Sequence, residues 1–175
     1  MRGFGTVAAI SMYSEPLKSI LKNFKYAEGA AGWAPILGRL VFGWLEANAT
    51  ITSQYDVIIG NPTTTDRQPI RHIETILEAA QVEDLRRRWP IRNDLLLKRT
   101  STPTSAGQGL YDKQVAAGQH ADAIDLMADF TGAKVLLFDD IFTTGSQLSA
   151  VARRLRKAGA LRIAGLVIAR VPWGG

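Results

Sequence analysis

Two adjacent carboxylates and a run of hydroxyl residues form the part of this sequence best suited to chemistry. Asp139 and Asp140 follow the apolar segment 135–138, and Thr-Thr-Gly-Ser at 143–146 comes two residues later. Holding two carboxylates together costs free energy, because like charges repel each other and burial adds a desolvation cost. Such a pair therefore usually has a polyhydroxyl compound or a metal as its partner.

The segment 143–146 is typical of a phosphate-binding loop. It opens a predicted helix, whose free N–H groups and dipole favour an anion. Gly145 lets the main chain approach a ligand closely, and the neighbouring hydroxyl groups add donors. With the two carboxylates, the loop would bind the phosphate and the hydroxyl groups of a sugar phosphate. The structural alternative is an Asp-Asp turn followed by a Thr or Ser helix cap, but the complete apolar strand and both acids favour the functional interpretation.

The elements around this motif predict the fold class. The pattern indicates a strand at 134–138, a tight loop at 139–145, a helix at 146–158 and a strand at 161–169. A strand, helix and strand in that order form a βαβ crossover, which requires a parallel sheet. Ligands of such sheets bind outside the carboxyl ends of the strands, where the two acids stand. The predicted class is α/β.

The rest of the chain predicts further helices and strands. Amphipathic and apolar spacing favours helices at 15–28, 34–47, 70–80 and 121–130, and short apolar runs favour strands at 55–60 and 95–97. The segment 99–109 is rich in Ser, Thr, Pro and Gly, which predicts a loop. The first ten residues are assigned no element, and the region 1–50 is interpreted as helical.

The composition is that of an ordinary globular chain. Of 175 residues, 46% are hydrophobic and 21% charged, which excludes wholesale disorder. The absence of cysteine excludes a disulfide scaffold, a zinc ribbon and a thiol nucleophile, and two histidines make a histidine-rich metal site unexpected. No apolar run reaches the ~18 residues that span a bilayer, and the segment 1–10, with one arginine and a few small apolar residues, is too short for the pattern expected of a secretory signal. We therefore expect a cytoplasmic protein.

The charge suits anionic ligands without identifying them. The net charge is +5, and basic residues cluster at 86–99 and 151–175. These clusters are either solvated helix faces and loops or an electropositive surface for phosphates or nucleic acid. Trp89 is the only aromatic residue inside a basic cluster, so the stacking that grips single strands is sparse.

At the motif 135–146 the sequence resembles the type I phosphoribosyltransferases, and more narrowly the ComF (competence protein F) family. Further segments that resemble this family are the opening helix (Tyr13, Leu17, Leu21 and 22–26), the strand and loop at 55–62, the pair Arg67 and Arg71, and the loop at 98–103. The resemblance implies one phosphoribosyltransferase-like domain over 1–175. In it, a helical region at 1–50 precedes a core at 51–175 with a mostly parallel sheet flanked by helices.

The resemblance also implies a ligand, 5-phosphoribosyl diphosphate (PRPP), with Mg²⁺ bound mainly through it. Asp139 and Asp140 would hold the ribose hydroxyl groups and act as the catalytic pair. The other residues implied to bind PRPP are Asn61, Arg67, Arg71, Lys98, Arg99, Phe142, Thr143, Thr144, Gly145 and Ser146. The sequence departs from the family pattern at 71–75 and at 102–105, and it lacks the zinc-binding cysteines of many members.

Three functions follow from these observations. The first is a phosphoribosyltransferase that transfers ribose 5-phosphate to a nitrogen nucleophile and releases pyrophosphate. The second is a PRPP- or nucleotide-binding module without catalysis, and the third is a DNA-uptake accessory protein that binds single-stranded DNA or competence proteins. A homodimer is compatible with each. His72 is interpreted as a helix-surface residue, with a place near pyrophosphate as the alternative, and no group of partners is recognised around His120.

Overall fold

The computed structural model of the protein describes residues 3–102 and 110–172. In these residues a parallel sheet has the strand order β1-β6-β5-β2, and β3 and β4 form a separate antiparallel pair. The strands are β1 (Val7–Met12), β2 (Val57–Gly60), β3 (Leu96–Lys98), β4 (Ile124–Leu126), β5 (Lys134–Phe142) and β6 (Arg162–Arg170). Strand β5 lies between β2 and β6, but β2 ends opposite Phe138, so the carboxyl end of β5 pairs only with β6.

Helices cover both faces of the sheet. The helices are α1 (Leu17–Tyr26), α2 (Ala34–Ala47), α3 (Ala49–Thr52), α4 (His72–Glu83), α5 (Leu110–Asp122) and α6 (Ser146–Lys157), with a 3₁₀ helix at Ala30–Trp33. Apolar residues of α1, α2 and α4 form the core on one face, and those of α5 and α6 form the core on the other. The predicted α/β class, with a parallel sheet flanked by helices, is confirmed.

Strand β5 alternates between the two cores. Leu136 and Phe138 pack with α1, α2 and α4, whereas Val135 and Leu137 pack with α5 and α6. Successive side chains of a strand point to opposite faces. Continued by two residues, this alternation places the side chains of Asp139 and Asp140 on different sides of the sheet. Their different partners, described below, follow from it.

The regular patterns are confirmed where their periodicity is strong. Helix α2 has the predicted bounds, and β5, α6 and β6 form the predicted crossover. The apolar residues of α6 are buried, including Leu148 and Leu155. Gly159, which follows this helix, has a φ of +92°, a left-handed conformation that glycine adopts readily.

The region 1–50 is not only helical, contrary to the sequence interpretation. Strand β1 pairs with β6 in the parallel sheet, with Val7 opposite Gly165 and Met12 opposite Arg170. The strand was missed because its short run of small apolar residues gives little local signal, and its partner is more than 150 residues away. That the whole chain forms one domain stays a prediction.

Two other boundaries are wrong. A helix was predicted at 121–130, but α5 ends at Asp122 and β4 follows, because Ile124 and Leu126 pair with β3. A loop was predicted to start at Asp139, but β5 continues through Phe142, because it keeps pairing with β6. Residues 103–109 of the predicted loop 99–109 lie outside the described residues. No helix in the described part of the chain is long and apolar enough to cross a membrane.

Candidate functional site

A cavity of about 630 Å³ opens at the carboxyl ends of β2 and β5. The predicted site residues that line it are Asn61, Arg67, Lys98, Asp139, Asp140 and Thr143. The first and last of these residues, Asn61 and Thr143, are 82 positions apart in sequence, and the fold brings the whole set together around one cavity. The position agrees with the rule that open α/β sheets bind ligands beyond the ends of their strands.

Asp140 lies on the side of the sheet that α1 and α4 cover. Its Oδ2 lies 2.5 Å from Nζ of Lys25 and 3.5 Å from Nε2 of His72. Burial is the largest influence on the pKa of Asp140 and would raise it, but the charge and hydrogen bond of Lys25, together with smaller influences, hold that pKa below its usual value. The same attraction outweighs the effect of burial on Lys25 and raises its pKa. Asp140 is therefore a paired carboxylate.

Asp139 lies on the opposite side, and its partners are hydrogen-bond donors without charge. Its Oδ2 accepts a hydrogen bond of 3.1 Å from the Asn61 side-chain amide, and its Oδ1 accepts one of 3.0 Å from the backbone N–H of Asp140. Burial, followed by the negative charge of Asp140, raises the pKa of Asp139. Because the two pKa values are shifted in opposite directions, Asp139 holds a proton more readily than Asp140, and the two carboxyl groups can have different chemical roles.

The loop after β5 forms a second, smaller recess of about 50 Å³. Its lining includes 141–148 together with Lys113 from α5. Helix α6 starts at Ser146, and the residue before it is Gly145, which has no side chain to cap the first N–H groups. The hydroxyl groups of Thr144 and Ser146 lie 2.9 Å apart at the same place. This arrangement of N–H groups, hydroxyls and a lysine suits a phosphate group.

Gly145 is required by the shape of this loop. Its φ is +73°, and a Cβ atom there would lie 2.6 Å from two carbon atoms of the Phe142 ring. Phe142 is itself buried, and its ring packs edge-to-face on Phe4 with 6.3 Å between centroids. Phe142 therefore supports the loop from beneath, and only a residue without a side chain fits above it.

Two of the predicted cations face the cavity. The guanidinium group of Arg67 lies 5.8 Å from the centre of the Tyr26 ring at the rim. Lys98 is only 5% exposed, and its Nζ donates a 2.7 Å hydrogen bond to Oγ1 of Thr102. Burial and the nearby charge of Arg67 lower the pKa of Lys98. Both cations are thus placed where an anionic ligand would meet them.

The other two predicted arginines are bound elsewhere. Nη2 of Arg71 lies 2.9 Å from Oε1 of Glu74, which also accepts hydrogen bonds from Thr63. Nε of Arg99 lies 3.1 Å from Oδ2 of Asp125, and both side chains are more than half exposed. Within the described ranges, neither arginine lines the cavity.

Residues of the cavity that the sequence analysis does not assign to the site include Lys25, His72, Lys113 and His120. Lys25 was given no role, His72 was interpreted as a surface residue, and His120 was thought to have no partners. In the structure both histidines are less than 10% exposed, and burial lowers the pKa of each to about 4, so both are neutral at pH 7. For Lys25 the helical spacing gave a usable signal. The residue lies four positions after the buried Leu21, which places both on the same, inward face of α1.

The basic cluster at 151–175 makes contacts within the chain. Nη1 of Arg153 donates to Ser149, Nε of Arg156 donates to the carbonyl oxygen of Gly3, and Nη1 of Arg162 donates to Gln54. In the cluster at 86–99, Arg88 and Arg92 pair with Glu46 and Asp94. These contacts favour the interpretation of solvated, structural faces over that of a surface for nucleic acid.

The fold defines an α/β protein with a parallel sheet and flanking helices, and solved structures of phosphoribosyltransferases are similar to the chain. A hypoxanthine phosphoribosyltransferase from Staphylococcus aureus is 12% identical and covers 78% of this chain, with a TM-score of 0.42. A phosphoribosyltransferase from Corynebacterium diphtheriae is 24% identical and covers 83% of this chain, with a TM-score of 0.39. This chain spans 62% of the first protein and 68% of the second.

No family model matches the sequence, and no curated protein sequence matches it. The assignment of a function therefore rests on the geometry of the site.

Proposed function

We propose that the protein is a PRPP-binding phosphoribosyltransferase, which transfers a ribose 5-phosphate group to a nitrogen nucleophile and releases pyrophosphate. The observation that carries the proposal is the meeting of Asp139 with the Gly145 loop at the carboxyl end of β5. Asp139, which can accept hydrogen bonds from hydroxyl groups, thus lies beside a recess suited to a phosphate. A ribose phosphate requires both features.

In this proposal each part of PRPP would meet a different part of the cavity. The loop 143–146 and Lys113 would hold the 5′-phosphate, because they supply N–H groups, hydroxyls and a positive charge. Asp139 would accept hydrogen bonds from the ribose hydroxyl groups. Arg67 and Lys98 would bind the pyrophosphate, which carries most of the negative charge of the ligand.

The reaction breaks the bond between C1 of the ribose and the pyrophosphate oxygen, and the electron pair leaves with pyrophosphate. The nitrogen nucleophile then forms the new bond to C1 and loses a proton. The ribose passes through an oxocarbenium-like state, so catalysis depends on positioning and on stabilisation of the developing charges. Arg67 and Lys98 would stabilise the leaving group, and Asp139 would hold the sugar.

The carboxylates fit magnesium that is bound mainly through the ligand. Among the described residues, no group of three or more His, Cys, Asp or Glu side chains could hold a metal ion. Magnesium in proteins commonly uses one or two carboxylates and the substrate's phosphates. Asp139 would be the carboxylate that contributes, because Asp140 is paired with Lys25. When bound, magnesium would neutralise charge on the diphosphate.

Calorimetric titration with PRPP, with and without magnesium, tests the proposal. We expect binding by the wild type and a loss of at least about tenfold in affinity for Asp139→Asn, because the ribose hydroxyl groups lose one of the two carboxyl oxygens that would accept their hydrogen bonds. Asp94→Asn is the matched control, since Asp94 is an exposed partner of Arg92 outside the cavity. A folded wild-type protein that does not bind PRPP would contradict the proposal.

Release of pyrophosphate in the presence of added amines or bases separates the enzyme from a binding module. The module remains the alternative, because the proposal assigns no residue to accept the proton of the nucleophile. Membership of the ComF family, binding of single-stranded DNA, a homodimer and a cytoplasmic location stay predictions. Binding to single-stranded DNA that weakens steeply with salt would support the DNA-uptake role.

A further inference from the structure

Four polar side chains form a continuous hydrogen-bonded chain along one wall of the cavity. Nζ of Lys98 lies 3.0 Å from Nδ1 of His120, and Nε2 of His120 lies 2.7 Å from Oδ1 of Asn61. Nδ2 of Asn61 donates a 3.1 Å hydrogen bond to Oδ2 of Asp139. The chain joins β3, α5, the residue after β2 and the end of β5.

The chemistry of the first group decides the direction of every bond in this chain. An ammonium group has three donors and no acceptor, so Nδ1 of His120 must accept from Lys98. In a neutral imidazole the proton must then be on Nε2, which donates to Oδ1 of Asn61. With its oxygen facing His120, the amide of Asn61 turns its NH₂ group towards Asp139.

Burial makes this order of donors and acceptors costly to break. Lys98, His120 and Asn61 are 5%, 6% and 4% exposed. If the imidazole carried its proton on Nδ1, it would face the Lys98 ammonium donor to donor, and Nε2 would face the oxygen of Asn61 without a hydrogen. Two buried hydrogen bonds would be lost together.

We propose that His120 is a positioning residue, held by Lys98 in the Nε2–H tautomer so that Asn61 presents its amide NH₂ group to Asp139. The residue touches neither of the two acids, and it acts through Asn61. Its effect on ligand binding rests on the proposed function, in which Asp139 receives the ribose hydroxyl groups. Under the proposed function, these hydrogen bonds also connect Lys98, which would contact the pyrophosphate, with Asp139, which would contact the ribose.

The tautomer of His120 tests the proposal without any ligand. The chain has two histidines, so ¹⁵N-labelled imidazole gives two sets of NMR signals, which His120→Gln assigns. At pH 7 we expect the His120 set to show a protonated Nε2 and an unprotonated Nδ1. In Lys98→Met this preference should weaken, while the His72 signals keep their pattern. A wild-type His120 that carries its proton on Nδ1, or is an even mixture, overturns the proposal.

Binding of ribose 5-phosphate tests the consequence for the site. In His120→Gln an amide NH₂ group can still donate to Asn61, whereas His120→Met has no donor. We expect the affinity to fall about tenfold in His120→Met and by clearly less in His120→Gln, with Gln119→Ala as an exposed neighbouring control. Equal affinities of the wild type and both His120 variants would overturn the positioning role. A wild type that binds no ribose 5-phosphate would contradict the proposed function instead. The tautomer of His120 would still test the order of donors and acceptors from Lys98 to Asp139.

Discussion

Nζ of Lys25 lies 2.5 Å from Oδ2 of Asp140, which ties the last turn of α1 to the end of the central strand β5. The two side chains are 16% and 6% exposed, so this ion pair is largely shielded from water. A shielded pair contributes little net stability relative to apolar residues, but the loss of one partner leaves a buried charge. Lys25 thus keeps one of the two adjacent carboxylates ionised inside the protein.

The first prediction concerns this pair. Lys25→Met should lower the free energy of unfolding by about 3 kcal/mol, because Asp140 stays buried without its cation. Urea denaturation at pH 7 measures the loss. Asp140→Asn in the same background should restore part of it, and Lys22→Met, an exposed position of the same helix, should change little. Equal unfolding free energies of Lys25→Met and Lys22→Met would show that the ion pair is not formed.

The second prediction separates the two constraints on Gly145. Gly145→Ala and Gly132→Ala both place a side chain at a φ of +73° or +76°, which costs roughly 1–2 kcal/mol. Only at Gly145 does the new Cβ meet the Phe142 ring, and at Gly132 nothing lies within 4 Å. We expect Gly145→Ala to be less stable than Gly132→Ala by about 1 kcal/mol or more.

Calorimetry on the same two variants checks the phosphate loop. Gly145→Ala should lose affinity for ribose 5-phosphate, because the loop must move away from the Phe142 ring, and Gly132→Ala should bind as the wild type does. Equal affinities would mean that the loop does not hold the phosphate.

The third prediction concerns pH. Burial, followed by the charge of Lys98, lowers the pKa of His120 from its usual 6.5 to about 4. Between these values the unfolded chain binds the proton more readily, so stability falls as the pH falls from 6.5 towards 4. At pH 5 the contribution of His120 should be about 2 kcal/mol lower than at pH 7.5.

His120→Gln isolates this contribution from those of other groups. His72 has the same dependence, and the raised pKa of Asp139 acts in the opposite direction over part of the range. The difference between wild type and variant removes both. Urea denaturation at pH 7.5 and 5.0 should show the larger loss in the wild type. The same loss in both proteins would mean that His120 titrates normally.

The fourth prediction concerns the contact between α2 and α4. A Cβ on Gly38 would lie 2.6 Å from Cβ of Ala79 and 2.8 Å from the backbone nitrogen of Ala80, so Gly38→Ala should cost about 2 kcal/mol. Gly43→Ala in the same helix meets nothing within 4 Å and should stabilise the protein by about 0.5–1 kcal/mol. Thermal unfolding of both variants gives the two signs. A Gly38→Ala variant as stable as Gly43→Ala would contradict the close packing.

Local sequence was sufficient to predict an element where the spacing of its apolar residues matches the face or faces that it buries. Helix α6 alternates buried Leu148 and Leu155 with charged residues at helical spacing, and β5 reads as a continuous apolar run because both its faces are buried. Strand β1 and strand β4 depend on partners far along the chain. The small residues of β1 and the three residues of β4 do not indicate which strand each element pairs with.

The same distinction divides the residues of the site. Asp139, Thr143 and Gly145 are contiguous in sequence, so their combination was visible as a motif. Lys25 and His120 are 95 positions apart in sequence and reach the cavity from different helices, and the helix that carries His120 was predicted in the wrong place. Their hydrogen bonds exist only once the sheet has aligned the elements.

The alternation of β5 makes the two adjacent acids sensitive to strand length. Because their side chains face opposite layers, removal of one residue from the strand before them would exchange their surroundings, with Asp139 moved towards Lys25 and Asp140 towards Asn61. Removal of two residues would return each acid to the correct side. The two acids therefore depend on their position along the strand as well as on their residue type. Any two acids at an odd spacing in a strand would likewise face opposite sides of the sheet.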